Sequence, residues 1–349
     1  MPINTVPSPP ISLGRGETAN IDELAGSDLS NQVSVAFVTP SDVDNDTLYV
    51  VMRVLGSLST IRRLELFFSF RLHGWKDIVP PGFNLMQPAL RLRRLTVTSG
   101  SVGAMVALIN HAPALEYLSI SFYSMTCGAE TDTRVGDGAL SCLRRLLVRH
   151  IDTPFKRKYV TQILESNGGI LWSLSISANM SDSLEVVRQS ANFNFANALV
   201  HLALMADDPG QSSFPGGCEH SSKARDDEVL HACNFIQACP RLAHLSLQGY
   251  HAEDLPKILV KLNRPLVSLA IHGKTCDNIN ASMMIRSILE EGHQAVSHLR
   301  MLALHRNAVD PDWPPVSALC KRQRTTIRIY SDLVSLMARR GTSKFRALL

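Results

Sequence analysis

A three-position apolar pattern recurs along the chain, with two residues between its first and second positions and one between its second and third. The segment CPRLAHLSLQGY, residues 239–250, carries it in Leu242, Leu245 and Leu247. The last two positions alternate, so both side chains point to one face of a short β-strand. The first position lies on the turn before the strand and reaches the same core. The pattern therefore predicts short strands with one apolar face.

The pattern returns at intervals that lie mostly between 23 and 28 residues, which is typical of leucine-rich repeats. The other copies are Ile61/Leu64/Leu66, Leu92/Leu95/Val97, Leu115/Leu118/Ile120, Leu143/Leu146/Val148, Leu171/Leu174/Ile176, Leu199/Leu202/Leu204, Leu266/Leu269/Ile271, Leu299/Leu302/Leu304 and a degraded copy at Ile327/Ile329. The segment VSVAFV at 33–38 is predicted to be a leading strand. Parallel strands need a crossover, so a helix or loop must join each copy to the next.

Several of the intervening segments have helix start and stop signals. Segment 153–169 has Pro154 near its first turn and a glycine pair at its end, as helices often do. Further helices are predicted in 45–58, in 222–240 and in 278–292. Segment 205–228 is rich in Pro, Gly and Ser and is predicted to be an exposed loop insertion.

These elements predict an α/β fold of a particular kind. We expect a leucine-rich-repeat solenoid of about 10–11 irregular strand–helix or strand–loop units, whose strands form a parallel concave sheet. It would span 31–330, after a disordered leader at 1–30 and before a capping helix at 331–349. The alternative is an ordinary doubly wound α/β domain, whose strands are also apolar.

Composition narrows the functional classes. The 349 residues are 45% hydrophobic and 19% charged, and the formal charge of +4 does not favour nucleic acid as the main ligand. No apolar run is long enough for a membrane span, and we find no export signal. Seven irregularly spaced cysteines then indicate reduced thiols and a cytoplasmic or nuclear location. No catalytic or cofactor motif is legible, so we predict a non-enzymatic protein without a cofactor.

Three phrases carry a resemblance to a known family: CLRRLLV (142–148), APALEYLSI (112–120) and CPRLAHLSL (239–247). With them, the chain resembles irregular leucine-rich-repeat proteins of the ribonuclease-inhibitor-like class, above all the repeat region of fungal F-box/leucine-rich-repeat proteins. The resemblance implies a substrate receptor in ubiquitin-ligase pathways, where an N-terminal F-box docks a ligase adaptor. The first thirty residues have no Leu-Pro-acidic opening of an F-box. We therefore expect an F-box-less relative or a chain whose F-box segment is missing.

The site is predicted on the concave sheet, where residues flanking the second and third apolar positions face outward. These candidates are Arg63, Glu65, Phe67, Arg94, Tyr117, Arg145, Arg149, His201, His244, Gln248, His272, Met301, His305, Arg328 and Tyr330. Arginine and tyrosine are enriched at protein interfaces, and the arginine-bearing first half suits an acidic or phosphorylated peptide. We therefore predict that the chain binds another protein.

Several alternatives remain open for this surface. The residues could simply be solvated strand positions. His201 and His244 share a column, as do His272 and His305, so each pair could bind a metal or become charged together below about pH 6.5. The chain could also be an enzyme with a spatially assembled site, or a weak nucleic-acid or phosphopeptide binder that uses its first-half arginines.

Overall fold

The chain divides into two compact units, Met1–Leu171 and Trp172–Leu349. The structure is a computed structural model. The residues that it describes are 11–13, 35–37, 63–67, 92–110, 112–126, 134–151, 154–167, 169–178, 194–206, 222–248, 250, 254–262, 264–272, 286, 288–290, 294–305 and 313–330. Both units belong to the α/β class, because each holds strands of a parallel sheet together with helices.

In the first unit, consecutive strands of the described ranges are neighbours in the sheet and pair in parallel. The strands are β1 (Ile11–Leu13), β2 (Val35–Phe37), β3 (Arg63–Phe67), β4 (Arg94–Ser101), β5 (Tyr117–Thr126) and β6 (Arg145–Arg149). The helices are α1 (Val102–Asn110) and α2 (Pro154–Glu165).

The second unit repeats this arrangement, and its strands also pair in parallel with their sequence neighbours. Its strands are β7 (Ser173–Ala178), β8 (His201–Ala206), β9 (His244–Gln248), β10 (Ser268–His272), β11 (Met301–His305) and β12 (Thr326–Tyr330). Its helices are α3 (Ser222–Gln237), α4 (Asp254–Val260) and α5 (Trp313–Arg322), with short 3-10 helices at Asn194–Ala198 and Gln294–Val296.

The register places equivalent apolar positions side by side across each unit. In the first unit Leu95 pairs with Leu118, which in turn pairs with Leu146. The corresponding row of the second unit is Leu174, Leu202, Leu245, Leu269 and Leu302. All of these side chains are at most 2% exposed. Each contributes roughly 1.5–3 kcal/mol when it is buried, so the rows account for much of the core.

In several copies the first apolar position lies on a turn, as the sequence predicts. The amide of Leu115 donates to the carbonyl of Ala112, three residues earlier, and Leu143, Leu199 and Leu242 donate in the same way. All four leucine side chains are at most 2% exposed. The turn therefore directs the first leucine into the core that the following strand also covers.

Helix α2 forms where the start and stop signals lie. Pro154 is its first residue, and Gly169, with a φ of 84°, lies in the turn beyond its end. Its buried side chains include Tyr159 with Ile163 and Val160 with Leu164, pairs that share a face because they are four residues apart. The prediction of a helix within 153–169 is confirmed.

A repeated backbone contact joins the beginnings of neighbouring strands. The carbonyl of Arg93 accepts hydrogen bonds from the amides of Glu116 and Tyr117, at 2.9 and 3.0 Å. The carbonyl of Glu116 accepts two from the next strand, from Arg144 and Arg145, both at 3.0 Å. In the second unit, the carbonyls of Trp172, Val200, Ala243 and Val267 do the same. We call this contact the paired-amide clamp.

The structure corrects two of the predicted boundaries. Ile11–Leu13 form β1, parallel to β2, inside the leader that the sequence predicts to be disordered. Their apolar–polar–apolar alternation suits a short strand. The predicted loop at 205–228 is shorter at both ends, because Met205 and Ala206 continue β8 and residues from Ser222 onward form α3. The rest of the leader, and 207–221, lie outside the described residues.

Some of the other predicted elements lie within the described residues, and others lie outside them. The strand predicted at 33–38 is confirmed as β2, and the helix at 222–240 as α3. Within 278–292, residue 286 and residues 288–290 are helical. The predicted helix at 45–58 and the capping helix at 331–349 lie outside the described residues. None of the helices in the described ranges has both the length and the apolarity that crossing a membrane requires.

Candidate functional site

On the first unit, the sheet face opposite the buried leucines carries a row of large side chains. Arg94 pairs in register with Tyr117, and Tyr117 pairs with Arg145. Arg94 is exposed, whereas Tyr117 and Arg145 are half-buried. At the far end of β6, Arg149 is also half-buried. Since parallel strands lie about 4.8 Å apart, the two arginines of the row are anchored roughly 10 Å from each other.

The paired-amide clamp aligns a second row just before these strands. Arg93, Glu116 and Arg144 occupy it, one residue ahead of Arg94, Tyr117 and Arg145, respectively. Arg93 Nη1 lies 3.2 Å from Glu116 Oε1, and both side chains are about half exposed. Arg144 is exposed. Together the two rows form a basic strip: Arg93, Arg94, Glu116, Tyr117, Arg144 and Arg145.

On the second unit, the equivalent strand positions hold packed rings. His201 and His244 are register partners, as predicted, and their rings stack at 4.1 Å with 3° between planes. Trp172 meets His201 edge-on, with ring centroids 4.3 Å apart. His244 Nδ1 lies 2.7 Å from Ser268 Oγ. Trp172, His201, His244 and Ser268 thus form a continuous cluster, the ring cluster.

The ring cluster corrects the prediction that His201 faces outward into solvent. Its side chain is 4% exposed. Trp172 on one side and the imidazole of His244 on the other cover it, which strand alternation alone does not reveal. Burial also lowers the pKa of His244, because desolvation disfavours the imidazolium form.

The geometry of the stack restricts what the two histidines can do. Imidazole lone pairs lie in the ring plane, and these two planes are nearly parallel. One metal ion cannot lie in both planes, so this arrangement of His201 and His244 does not chelate a single ion. Elsewhere in the described ranges, no group of three or more His, Cys, Asp or Glu comes together in a way that could hold a metal.

The remaining predicted site residues follow the sheet positions expected of them. Gln248, Met301 and Arg328 are half-buried. The residues Arg63, Glu65 and Phe67 lie on β3, His272 on β10, His305 on β11 and Tyr330 on β12, but their side chains are outside the described part. Arg63 pairs with Arg94, so it extends the first row by backbone register. Ile271 pairs with Leu304, and His272 and His305 are the next residues on β10 and β11.

Sequence reasoning missed the positions just before the strands. Arg93, Glu116, Arg144 and Trp172 each follow the first leucine directly, a position that the apolar pattern assigns to the turn. The structure places these residues in line with the predicted site through the paired-amide clamp. The recurring letters RRL, at 62–64, 93–95 and 144–146, are a readable signal of a basic strip.

The buried thiols do not provide a nucleophile at neutral pH. Burial raises the pKa of Cys239 to about 12, and it raises the pKa of Cys233 and of Cys320 as well. The thiolate is the reactive form, so a raised pKa keeps these side chains protonated and inert.

A cavity of about 600 Å³ lies between the turn before β6 and the end of α2. Arg134, Asp137 and Glu165 are exposed at its lining, and Asn167 is buried there. Asn167 Nδ2 donates to the carbonyl of Leu143 at 2.6 Å, which joins the end of α2 to the preceding turn. None of the predicted site residues lines this cavity.

The sequence matches no protein-family model, and comparison with curated proteins also finds no match.

Proposed function

We propose that this protein is a leucine-rich-repeat scaffold that binds another protein and is not an enzyme. Its partner would occupy the sheet face opposite the buried leucines. The finer assignment to a leucine-rich-repeat solenoid belongs to this proposal. It is supported by leucine-on-leucine register between successive parallel strands and by the turn that recurs before several of them.

The observation that carries the proposal is the contrast between the two faces of the strands. One face is filled by leucines that are at most 2% exposed, and the other presents arginine, tyrosine and histidine at equivalent positions. Arginine and tyrosine dominate the energetics of protein interfaces, because both offer large contact areas with hydrogen-bonding groups. Short repeated units that expose such a face are typical of interaction surfaces.

Site-specific photocrosslinking would test this proposal. A photoreactive amino acid would replace Tyr117 on β5 or Gln248 on β9, both on the proposed face. Matched controls would replace exposed residues of the helices, Lys158 on α2 and Asn234 on α3. We expect one partner protein to be crosslinked from the sheet positions and not from the helix positions. Crosslinking from the helices alone, or no crosslinked protein from any position, contradicts the proposal.

A ubiquitin-ligase receptor is the more specific version, and it rests on the resemblance of the repeat phrases to fungal F-box/leucine-rich-repeat proteins. It predicts that the full chain co-purifies with ligase adaptor subunits as well as with the crosslinked partner. If the partner is captured consistently without any ligase subunit, the scaffold function stands and the receptor version is wrong.

A further inference from the structure

We propose that the basic strip of the first unit is the part of the scaffold that recognises an acidic segment of the partner. The segment would be extended, and it would present carboxylate or phosphate oxyanions to Arg94 and Arg145 on either side of Tyr117. This inference rests on the proposed interaction function and specifies the chemistry of its partner.

Charge balance is the first argument. Among the described residues at the beginnings and ends of β4, β5 and β6, five are arginines, namely Arg93, Arg94, Arg144, Arg145 and Arg149. Glu116 is the single acidic residue among these positions. Arginines anchored on neighbouring strands create a positive potential, so an oxyanion placed among them is attracted by several guanidinium groups at once.

The overall composition of the chain does not account for this concentration of arginines. Its 35 basic and 31 acidic residues nearly balance. In the second unit, the positions before and at the start of the described strands hold Trp172, Ser173, Val200, His201, Ala243, His244, Val267, Ser268, Arg300, Met301, Thr325 and Thr326. Arg300 is the one arginine in that set. The strip is therefore a local feature of the first unit, which points to a ligand of opposite charge there.

The strip already holds one carboxylate at ion-pair distance from one of its arginines. Glu116 Oε1 lies 3.2 Å from Arg93 Nη1, and neither side chain is buried. Arginine presents planar N–H donors that match carboxylate and phosphate oxygens, often in pairs. Arg94 and Arg144 are exposed at the neighbouring strand starts, so their guanidinium groups can bind a carboxylate from another chain in the same way.

The spacing of the strip matches an extended peptide. Arg94 and Arg145 are two strands apart, which is roughly 10 Å. In a polyproline-type extended peptide, residues three apart lie on one side and are separated by about 9 Å. Acidic residues at every third position would therefore meet both arginines. Tyr117, half-buried between them, offers a ring to the intervening side chain.

Fluorescence anisotropy with the full chain and three synthetic peptides tests this inference. One labelled peptide carries glutamate at every third position, a second carries phosphoserine there, and a third carries glutamine. We expect the first two to bind and the glutamine peptide to fail, with binding that weakens as salt rises. Tighter binding of the phosphoserine peptide would identify phosphate as the preferred oxyanion, and tighter binding of the glutamate peptide would identify carboxylate.

The variant Arg94→Ala with Arg145→Ala should weaken binding of the acidic peptides by about tenfold or more, equivalent to about 1.4 kcal/mol. Arg300→Ala is the matched control, because Arg300 is exposed before a strand of the second unit, and it should leave binding unchanged. Circular dichroism would establish that both variants fold. Equal binding of the glutamine peptide, or unchanged binding by the double variant, overturns the inference. So would tighter binding of a single-stranded oligonucleotide of equal charge.

These outcomes are distinct from those of the crosslinking experiment. If Tyr117 crosslinks a partner but the double variant still captures it, the scaffold function holds and the acidic-segment inference fails. If acidic peptides bind through the strip but no protein is crosslinked from the sheet, the strip recognises oxyanions and the scaffold function fails.

Discussion

At the residue scale, the ring cluster links packing to protonation. His244 stacks on His201 and contacts Ser268, and burial lowers its pKa from the ordinary value of 6.5. The folded state therefore binds a proton less readily than the unfolded state. The contribution of His244 to the free energy of unfolding is therefore fully present above about pH 6.5, and it decreases as the pH falls below that value, because protonation of this group then favours unfolding.

We predict that the melting temperature falls between about pH 7.5 and pH 5.5, and that His244→Gln reduces this fall. The substitution removes the titrating group and keeps a side chain able to hydrogen-bond to Ser268. Differential scanning fluorimetry at the two pH values measures the effect. His298→Gln is the control, since His298 is exposed and should leave the pH dependence close to that of the unchanged protein. An identical pH dependence in His244→Gln contradicts the prediction.

A second residue-scale feature is Arg324, which adopts a φ of 59° just after α5. The amide of Arg324 donates to the carbonyl of Lys321 at 3.1 Å, and the amide of Thr325 donates to the carbonyl of Cys320 at 2.8 Å. These two bonds are the pattern of a Schellman cap, whose left-handed residue is usually glycine. Arg324 therefore occupies a position where most side chains carry a steric cost.

We predict that Arg324→Gly raises the free energy of unfolding by about 0.5–1 kcal/mol, because glycine takes up the left-handed conformation without steric cost. Arg324→Val should lower it, since a branched side chain is disfavoured there. Urea titration followed by circular dichroism measures both. A loss of stability in the glycine variant would show that the arginine side chain contributes more than its backbone strain costs.

At the scale of the element, each strand has two faces with different roles. On β9, Leu245 and Leu247 are buried, and His244, Ser246 and Gln248 between and beside them are half-buried. We predict that Leu245→Ala lowers the free energy of unfolding by about 2–5 kcal/mol, through lost burial and a residual cavity. The neighbouring Ser246→Ala is the matched control and should change it by less than about 1 kcal/mol. Similar losses from both substitutions, measured by urea titration, would contradict the two-faced strand.

The sequence was most informative about these elements. The second and third positions of the copies lie on the described strands, and several first positions lie on turns before them, because alternation and the turn leucine both leave direct marks in the apolar pattern. The site was harder to predict. Alternation predicts the face of His201 correctly, but its burial depends on Trp172, which reaches it from the neighbouring strand's turn. Such contacts between neighbouring strands depend on which residues the register brings together, and the local apolar pattern does not show this.

At the scale of the whole molecule, the chain forms two compact units, each with its own buried leucine rows. We predict that Leu118→Ala in the first unit and Leu302→Ala in the second reduce the protection of different backbone amides against hydrogen exchange. Hydrogen exchange measured by mass spectrometry should show faster exchange mainly within the unit that carries the substitution. Leu118 and Leu302 are at most 1% exposed, so the two substitutions are matched in burial. Equal loss of protection in both units would mean that they unfold as one cooperative body.

Where the paired-amide clamp joins two strands, its hydrogen bonds do not depend on which side chains occupy the outward positions at the strand starts. Its donors and acceptors are main-chain groups, so any residue other than proline can occupy those positions without losing a bond. Evolution, or a protein engineer, could therefore exchange the arginines of one unit for the histidines of the other while the framework persists. New binding preferences would arise by point substitution alone, with no need to redesign the backbone.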